Sequence, residues 1–280
     1  MLIRAGYRIT YDCPAPTPMT LLLSIRPERL ADLVTNQQIT ATGQTPLRPY
    51  RDLFGNIAHR LVAPAGPTTF RADFVIDDSG LPDAVEPAAA EHPIDALPDE
   101  VLTYLLASRY CETELLAPIA WSLFGQVEPG WARAQAIVDY VHDRIRFGYQ
   151  HARPTRTAAE AHDERRGVCR DFAHLSVALC RCMNIPARYC TGYLGDIGVA
   201  PIDEPMDFSA WFEVYLGGAW RAFDARHNTP RIGRIPMAHG RDAADVAITT
   251  SFGTAWLSGF EVVTEEVAQN RYIGAALKRA

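Results

Sequence analysis

No apolar run in the sequence approaches the roughly 18 residues of a membrane span. The opening, MLIRAGYRITYDCP, alternates apolar with polar residues where a secretion signal would run apolar. A membrane-embedded or exported chain is therefore not expected. A basic tract is also missing: 27 Lys+Arg stand against 33 Asp+Glu for a net charge of −6, so nothing is suited to follow a phosphate backbone and nucleic acid is not an expected partner. Cysteine is sparse, six in 280 residues, without the dense spacing of a small secreted scaffold. That pattern suits free thiols in a reducing compartment, and hence a cytoplasmic location. There is no internal repeat, and the oligomeric state is not encoded in any recognisable pattern.

What is present begins with strands. Ile3, Ala5, Tyr7, Ile9 and Tyr11 alternate with Arg4, Gly6, Arg8 and Thr10, the two-residue period of a half-buried strand. The stretches 19–25, 57–62 and 70–76 read the same way, and DLFGN at 52–56 reads as a turn, which predicts an antiparallel β-sandwich-like domain over 1–77. An acidic segment with four prolines, DDSGLPDAVEPAAAEHPIDALPDE, follows, and residues 78–98 read as a linker. From 99 to 280 the periodicity turns helical and then extended. Ala134, Ile137, Val138, Val141 and Ile145 recur at helical spacing, and Thr157 with Glu160 forms a capping box. FSAWFEVYL and AWRAFDAR flank Gly217-Gly218, a hairpin signal. Helices first and antiparallel strands after make this second domain α+β.

Four of the six cysteines fall in RRGVCRDFAHLSVALCRCMNIPARYC, where a helix is predicted from Cys169 to about Asn184. At about 100° per residue, Arg170, Asp171, His174 and Arg181 gather on one side and are expected to be solvated, with Arg170-Asp171 either orienting substrate beside Cys169 or forming a plain surface ion pair. Cys169 lies in the first turn, where free N–H groups and the positive end of the helix dipole favour a thiolate. Cys180 and Cys182 lie in the last turn on opposed faces, which argues against a shared metal. Cys13, Cys111, Cys180, Cys182 and Cys190 read as small buried hydrophobes, and Trp211, Phe212, Trp220 and Phe223 as core.

GVCRDFAHLSVALCRCMNIPARYCTGY followed by AWFEVYLGGAWRAFD closely resembles the core of the transglutaminase-like superfamily, specifically its bacterial candidate cysteine proteases. The N-terminal β segment resembles the domain that precedes that core. The resemblance implies a papain-like fold, with a central nucleophile helix packed on an antiparallel sheet. It also implies a triad in which Cys169 is the nucleophile and Asp224 the orienting carboxylate, with no cofactor and no metal. The third member departs from the pattern, because the family's His-Ala-Trp reads Ser209-Ala210-Trp211 here. A serine hydroxyl is too short and too weak a base to take the thiol proton. His227, three residues after Asp224, can substitute only if the chain bends after Ala225; otherwise it is a strand-end or surface residue. His142 and His151 are more remote alternatives, and His174, about 140° round the helix from Cys169, is expected in solvent.

The expected function is cysteine-dependent acyl transfer on a peptide, protein or carboxamide substrate through a Cys169 thioester, as protease, amidase or transamidase. The alternative is a non-catalytic peptide-binding or scaffolding protein that keeps the fold, a pseudoenzyme by virtue of Ser209.

Overall fold

The alternation in the first residues becomes strand β1 (Leu2–Cys13) of a computed structural model that describes residues 1–201 and 205–268. Ile3, Ala5 and Ile9 of β1 are buried, while Arg4 and Arg8 point outward. The N-terminal strands β2 (Thr17–Leu21), β3 (Thr40–Ala41), β4 (Arg48–Arg51), β5 (Ile57–Ala63) and β6 (Gly66–Asp77) divide between two antiparallel sheets. Their inner faces share one apolar core containing Ile3, Leu21, Leu61, Phe70 and Phe74.

The second half carries helices α1 (Asp99–Leu102), α2 (Thr113–Phe124) and α3 (Trp131–Arg144). Short strands β7 (Arg146–Phe147) and β8 (Arg166–Gly167) bracket α4 (Ala158–Glu164), which opens with the Thr157–Glu160 capping box. Then comes α5 (Cys169–Cys182), followed by β9 (Ala187–Tyr193), β10 (Ser209–Leu216), β11 (Ala219–Phe223) and β12 (Ile235–Gly240). The sheet runs β11-β10-β9-β12, all antiparallel, and α5 packs on it with α2, α3 and α4 around its other sides. This is an α+β fold with N-terminal antiparallel sheets and a core of helices on a sheet, in the class the sequence implied.

Because α5 is wrapped on every side, its polar residues are not in solvent as the helical wheel predicts. His174 is fully buried, stacked 5.1 Å from Tyr110, and its Nε2 accepts the Ala243 N–H at 3.1 Å. Arg181 spends its guanidinium on carbonyls, including Ala187 O at 2.8 Å and Leu106 O at 3.0 Å. Polar groups with internal partners can be buried where bare ones cannot.

Strand pairing crosses the compositional boundaries at 77 and 98. β13 (Thr249–Ser251) pairs with β2, and β14 (Trp256–Val267) pairs with β1 along nearly its whole length, so the last described strands complete the N-terminal sheets. The acidic segment is pinned to the second half rather than loose. Asp83 N–H donates to Arg231 O at 2.9 Å, Glu91 pairs with Arg133 at 3.0 Å, and Glu86 pairs with Arg221.

Candidate active site

Three short stretches converge: the first turn of α5, the start of β10, and the turn after β11. The α5 N-terminus is held by Asp171, whose Oδ2 accepts the Val168 N–H at 2.9 Å and receives Arg156 Nη1 at 2.9 Å. Asp171 is 1% exposed, so it belongs to a buried capping arrangement with Arg156, and its 3.8 Å approach to Arg170 is not a surface pair. Arg170 donates to the carbonyls of Pro154, Arg153 and Arg156. A Cβ on Gly167 would lie 2.6 Å from the Asp171 side chain, which explains the glycine in the Arg-Arg-Gly lead-in. Cys169 is thereby fixed at the first helical position.

Cys169 is half-buried, whereas the other five cysteines are buried. Burial pushes its thiol up to about 11, against the Arg226 cation and the Ala210 backbone N–H, which pull it down. Desolvation thus works against the pull of the helix dipole toward a thiolate. No imidazole hydrogen-bonds to its sulfur among the described residues.

Asp224 directly follows β11 and is 6% exposed. Phe212 pairs with Phe223 in the hairpin that Gly217-Gly218 signals, and just past it the chain turns over 225–227. Asp224 Oδ1 accepts the backbone N–H groups of Arg226 (3.0 Å) and His227 (3.2 Å), an Asx-type turn that folds the chain back on the carboxylate. That bend brings His227 Nδ1 to 2.9 Å from Asp224 Oδ2. Burial alone would raise Asp224, but Arg234, whose Nη2 lies 3.0 Å from Oδ2, and then His227 outweigh it and hold the carboxyl well below the usual range. An ionised carboxylate only accepts, so Nδ1–H donates to Asp224 and Nε2 is the ring nitrogen left for proton transfer.

Ser209 opens β10, 7% exposed, its carbonyl accepting from Thr191 Oγ1 at 3.1 Å. It lines a cavity of about 100 Å³ together with Arg226, His227 and Arg231. His142 Nδ1 is engaged with the Ala225 carbonyl at 2.9 Å, and His151 sits in a short 3₁₀ turn. Trp211, Phe212 and Phe223 are core, while Trp220 is half-buried under Arg188. Among the described residues no cluster of three or more His, Cys, Asp or Glu could hold a metal ion, and no helix is long and apolar enough to cross a membrane.

Sequence reasoning missed Arg234 and Asp83. Arg234 bridges Asp224 to Asp83, meeting the latter at 2.8 and 2.9 Å. The signal was present only as acidic residues in the 77–100 segment and arginines at 226, 231 and 234; nothing in their spacing says that they meet.

The family model of the transglutaminase-like superfamily matches residues 119–225, which hold Cys169, Ser209 and Asp224. The chain also matches the crystal structure of a candidate cysteine protease from Cytophaga hutchinsonii with a TM-score of 0.82 and 29% identity, covering 96% of this chain and 91% of that one. An uncharacterized protein of Mycobacterium leprae is 38% identical over 85 residues, 29% of this chain. The match spans 30% of that relative's length.

Proposed function

Since the chain is a transglutaminase-like superfamily protein carrying that core over residues 119–225, we propose that it is a cysteine-dependent acyl-transfer enzyme in which His227 replaces the family's usual histidine. The observation that carries the reading is the Asp224–His227 contact of 2.9 Å, in a turn beside Ser209. Asp224 orients the ring and stabilises the imidazolium; Nε2 takes the proton of the neutral Cys169 thiol as the sulfur attacks a peptide or carboxamide carbonyl. General-base removal during attack suits a thiol held up to about 11 better than a preformed thiolate does. The oxyanion lies by the Cys169 backbone N–H, at the positive end of α5. The thioester and the leaving amine follow when His227 returns its proton, and water or an amine then resolves the thioester. No cofactor enters these steps. Ser209 leaves the family's base position without a base and takes no proton.

The test compares wild type with Cys169→Ala, His227→Ala and Ser209→His, reading peptide cleavage and ammonia release over a library of peptides and their carboxamides. His227→Ala should lower turnover about 10²–10⁴-fold, the usual worth of a positioned base. Undiminished turnover in His227→Ala would remove it from the mechanism. An inert wild type that gains nothing from Ser209→His would favour the peptide-binding alternative.

A further inference from the structure

The cavity lined by Ser209 and His227 holds two guanidinium groups that the proposed reaction does not use. Arg226 is half-buried, its carbon plane 3.9 Å from the Phe147 ring centroid, and among the described residues no carboxylate lies within 4.0 Å of it. Arg231 is 4% exposed; its Nη2 donates to Gly195 O at 2.8 Å, while its Nε is buried without a hydrogen-bond partner. Asp196 and Asp207 also line this space. Asp196 lies 4.0 Å from Arg231, and Asp207 Oδ1 receives its neighbour's Phe208 N–H at 2.6 Å. Two cations set against two carboxylates leave no net positive charge for a multiply charged anion, so an anion taken here is a monoanion held by directed hydrogen bonds. A stacked arginine that leans on Tyr149 and has Asp207 in its field, but no carboxylate in ion-pair contact, keeps a fork able to receive a planar carboxylate in bidentate fashion.

The position of the cavity gives that chemistry a role. Ser209 immediately precedes Ala210, whose backbone N–H pulls the Cys169 thiol down, and Ser209 and Arg226 line the same cavity. A serine where the family carries an imidazole leaves room at that point for part of a ligand. We infer that Arg226 and Arg231 form a carboxylate subsite beside Cys169, so that the preferred acyl donor carries a carboxylate close to the carbonyl under attack. The inference rests on Cys169 being the nucleophile but not on which group serves as its base.

Iodoacetate and iodoacetamide differ in charge while both alkylate a thiolate, forming the S–C bond and releasing iodide. The ratio of their rates at Cys169 therefore cancels the thiolate fraction and any effect of Arg226 on it. Rates are followed by peptide mapping of full-length protein at pH 8, and the ratio is normalised to glutathione. Wild type should favour iodoacetate by about tenfold, the scale of one charge-assisted hydrogen bond. Arg226→Gln should remove most of that preference, Arg226→Lys should retain part of it, and salt should erode it. A normalised ratio near one in wild type, or one unchanged in Arg226→Gln, overturns the subsite while leaving the nucleophile intact. If Cys169 reacts with neither reagent while another cysteine does, the nucleophile assignment itself fails, and the subsite with it.

Discussion

Replacing Arg234 with methionine removes a cation that faces Asp224 at 3.0 Å and Asp83 at 2.8 Å while keeping most of the side chain's length. At an effective dielectric of about 20, each contact is worth roughly 5–6 kcal/mol before desolvation. Methionine relieves the cost of burying the guanidinium but leaves Asp224 with only His227 and two backbone N–H groups. Removing one partner of a buried pair usually costs about 3–5 kcal/mol, and the more accessible Asp83 puts this case near the lower end, about 3 kcal/mol at pH 7. The sign of the pH dependence follows from Asp224. Its folded carboxyl is held below its unfolded value of about 3.9, so the contribution is complete above that pH and is lost as pH falls toward the folded value. The gap between wild type and Arg234→Met in urea unfolding should therefore be about 3 kcal/mol at pH 7 and shrink by about 1 kcal/mol at pH 3. A gap under about 1 kcal/mol at pH 7, or one indifferent to acid, would refute the view that this cation stabilises the Asp224 carboxylate.

Brief alkylation with iodoacetamide should label Cys169 ahead of the five buried cysteines, and its rate should climb about tenfold per pH unit from 7 to 9, because the thiol is held up to about 11. A plateau below pH 8 would reveal a thiolate–imidazolium pair instead. A fragment beginning at residue 99 should not fold, since β13 and β14 would lose the partners β2 and β1. Circular dichroism and solubility of that fragment check this, and a soluble, cooperatively melting product would count against it. The acidic segment should resist limited proteolysis in the intact chain, because Asp83, Glu86 and Glu91 tie it down.

The architecture was readable because most of it is written locally. The alternation in 3–11, the helical spacing through 134–145 and the paired glycines at 217–218 each specify an element without reference to the rest of the chain. Cys169 and Asp224 were legible through the motif around them. His227 was legible only conditionally, since its direction depends on whether the chain bends, and the bend is made by Asp224's own carboxylate accepting two backbone N–H groups. The wheel for α5 failed on His174 and Arg181 because exposure is decided by what surrounds a helix, and here helices and a sheet surround it. The 77–100 segment misled for the opposite reason. Its composition suggests no packed element, yet ion pairs to Arg133, Arg221 and Arg234 order a stretch that is irregular up to a 3₁₀ turn at Ile94–Ala96. Such pairs, like the β1–β14 pairing, join residues far apart in sequence and leave no periodic trace.

The β1–β14 ladder also bears on how the chain reaches its native state. Its register joins Leu2 to Val267 and Asp12 to Trp256, so one edge of β1 has its partner only after the whole stretch from β2 to β13 has been synthesised. At about 5–20 residues per second, that edge waits on the order of ten seconds or more during translation. Closing a loop of this span carries a large entropic cost before the new hydrogen bonds repay it, which places the chain among slow, high-contact-order folders. Until then β1 offers an open hydrogen-bonding edge to any neighbouring chain, and Arg4 and Arg8 on its outer face act as charged gatekeepers during the wait.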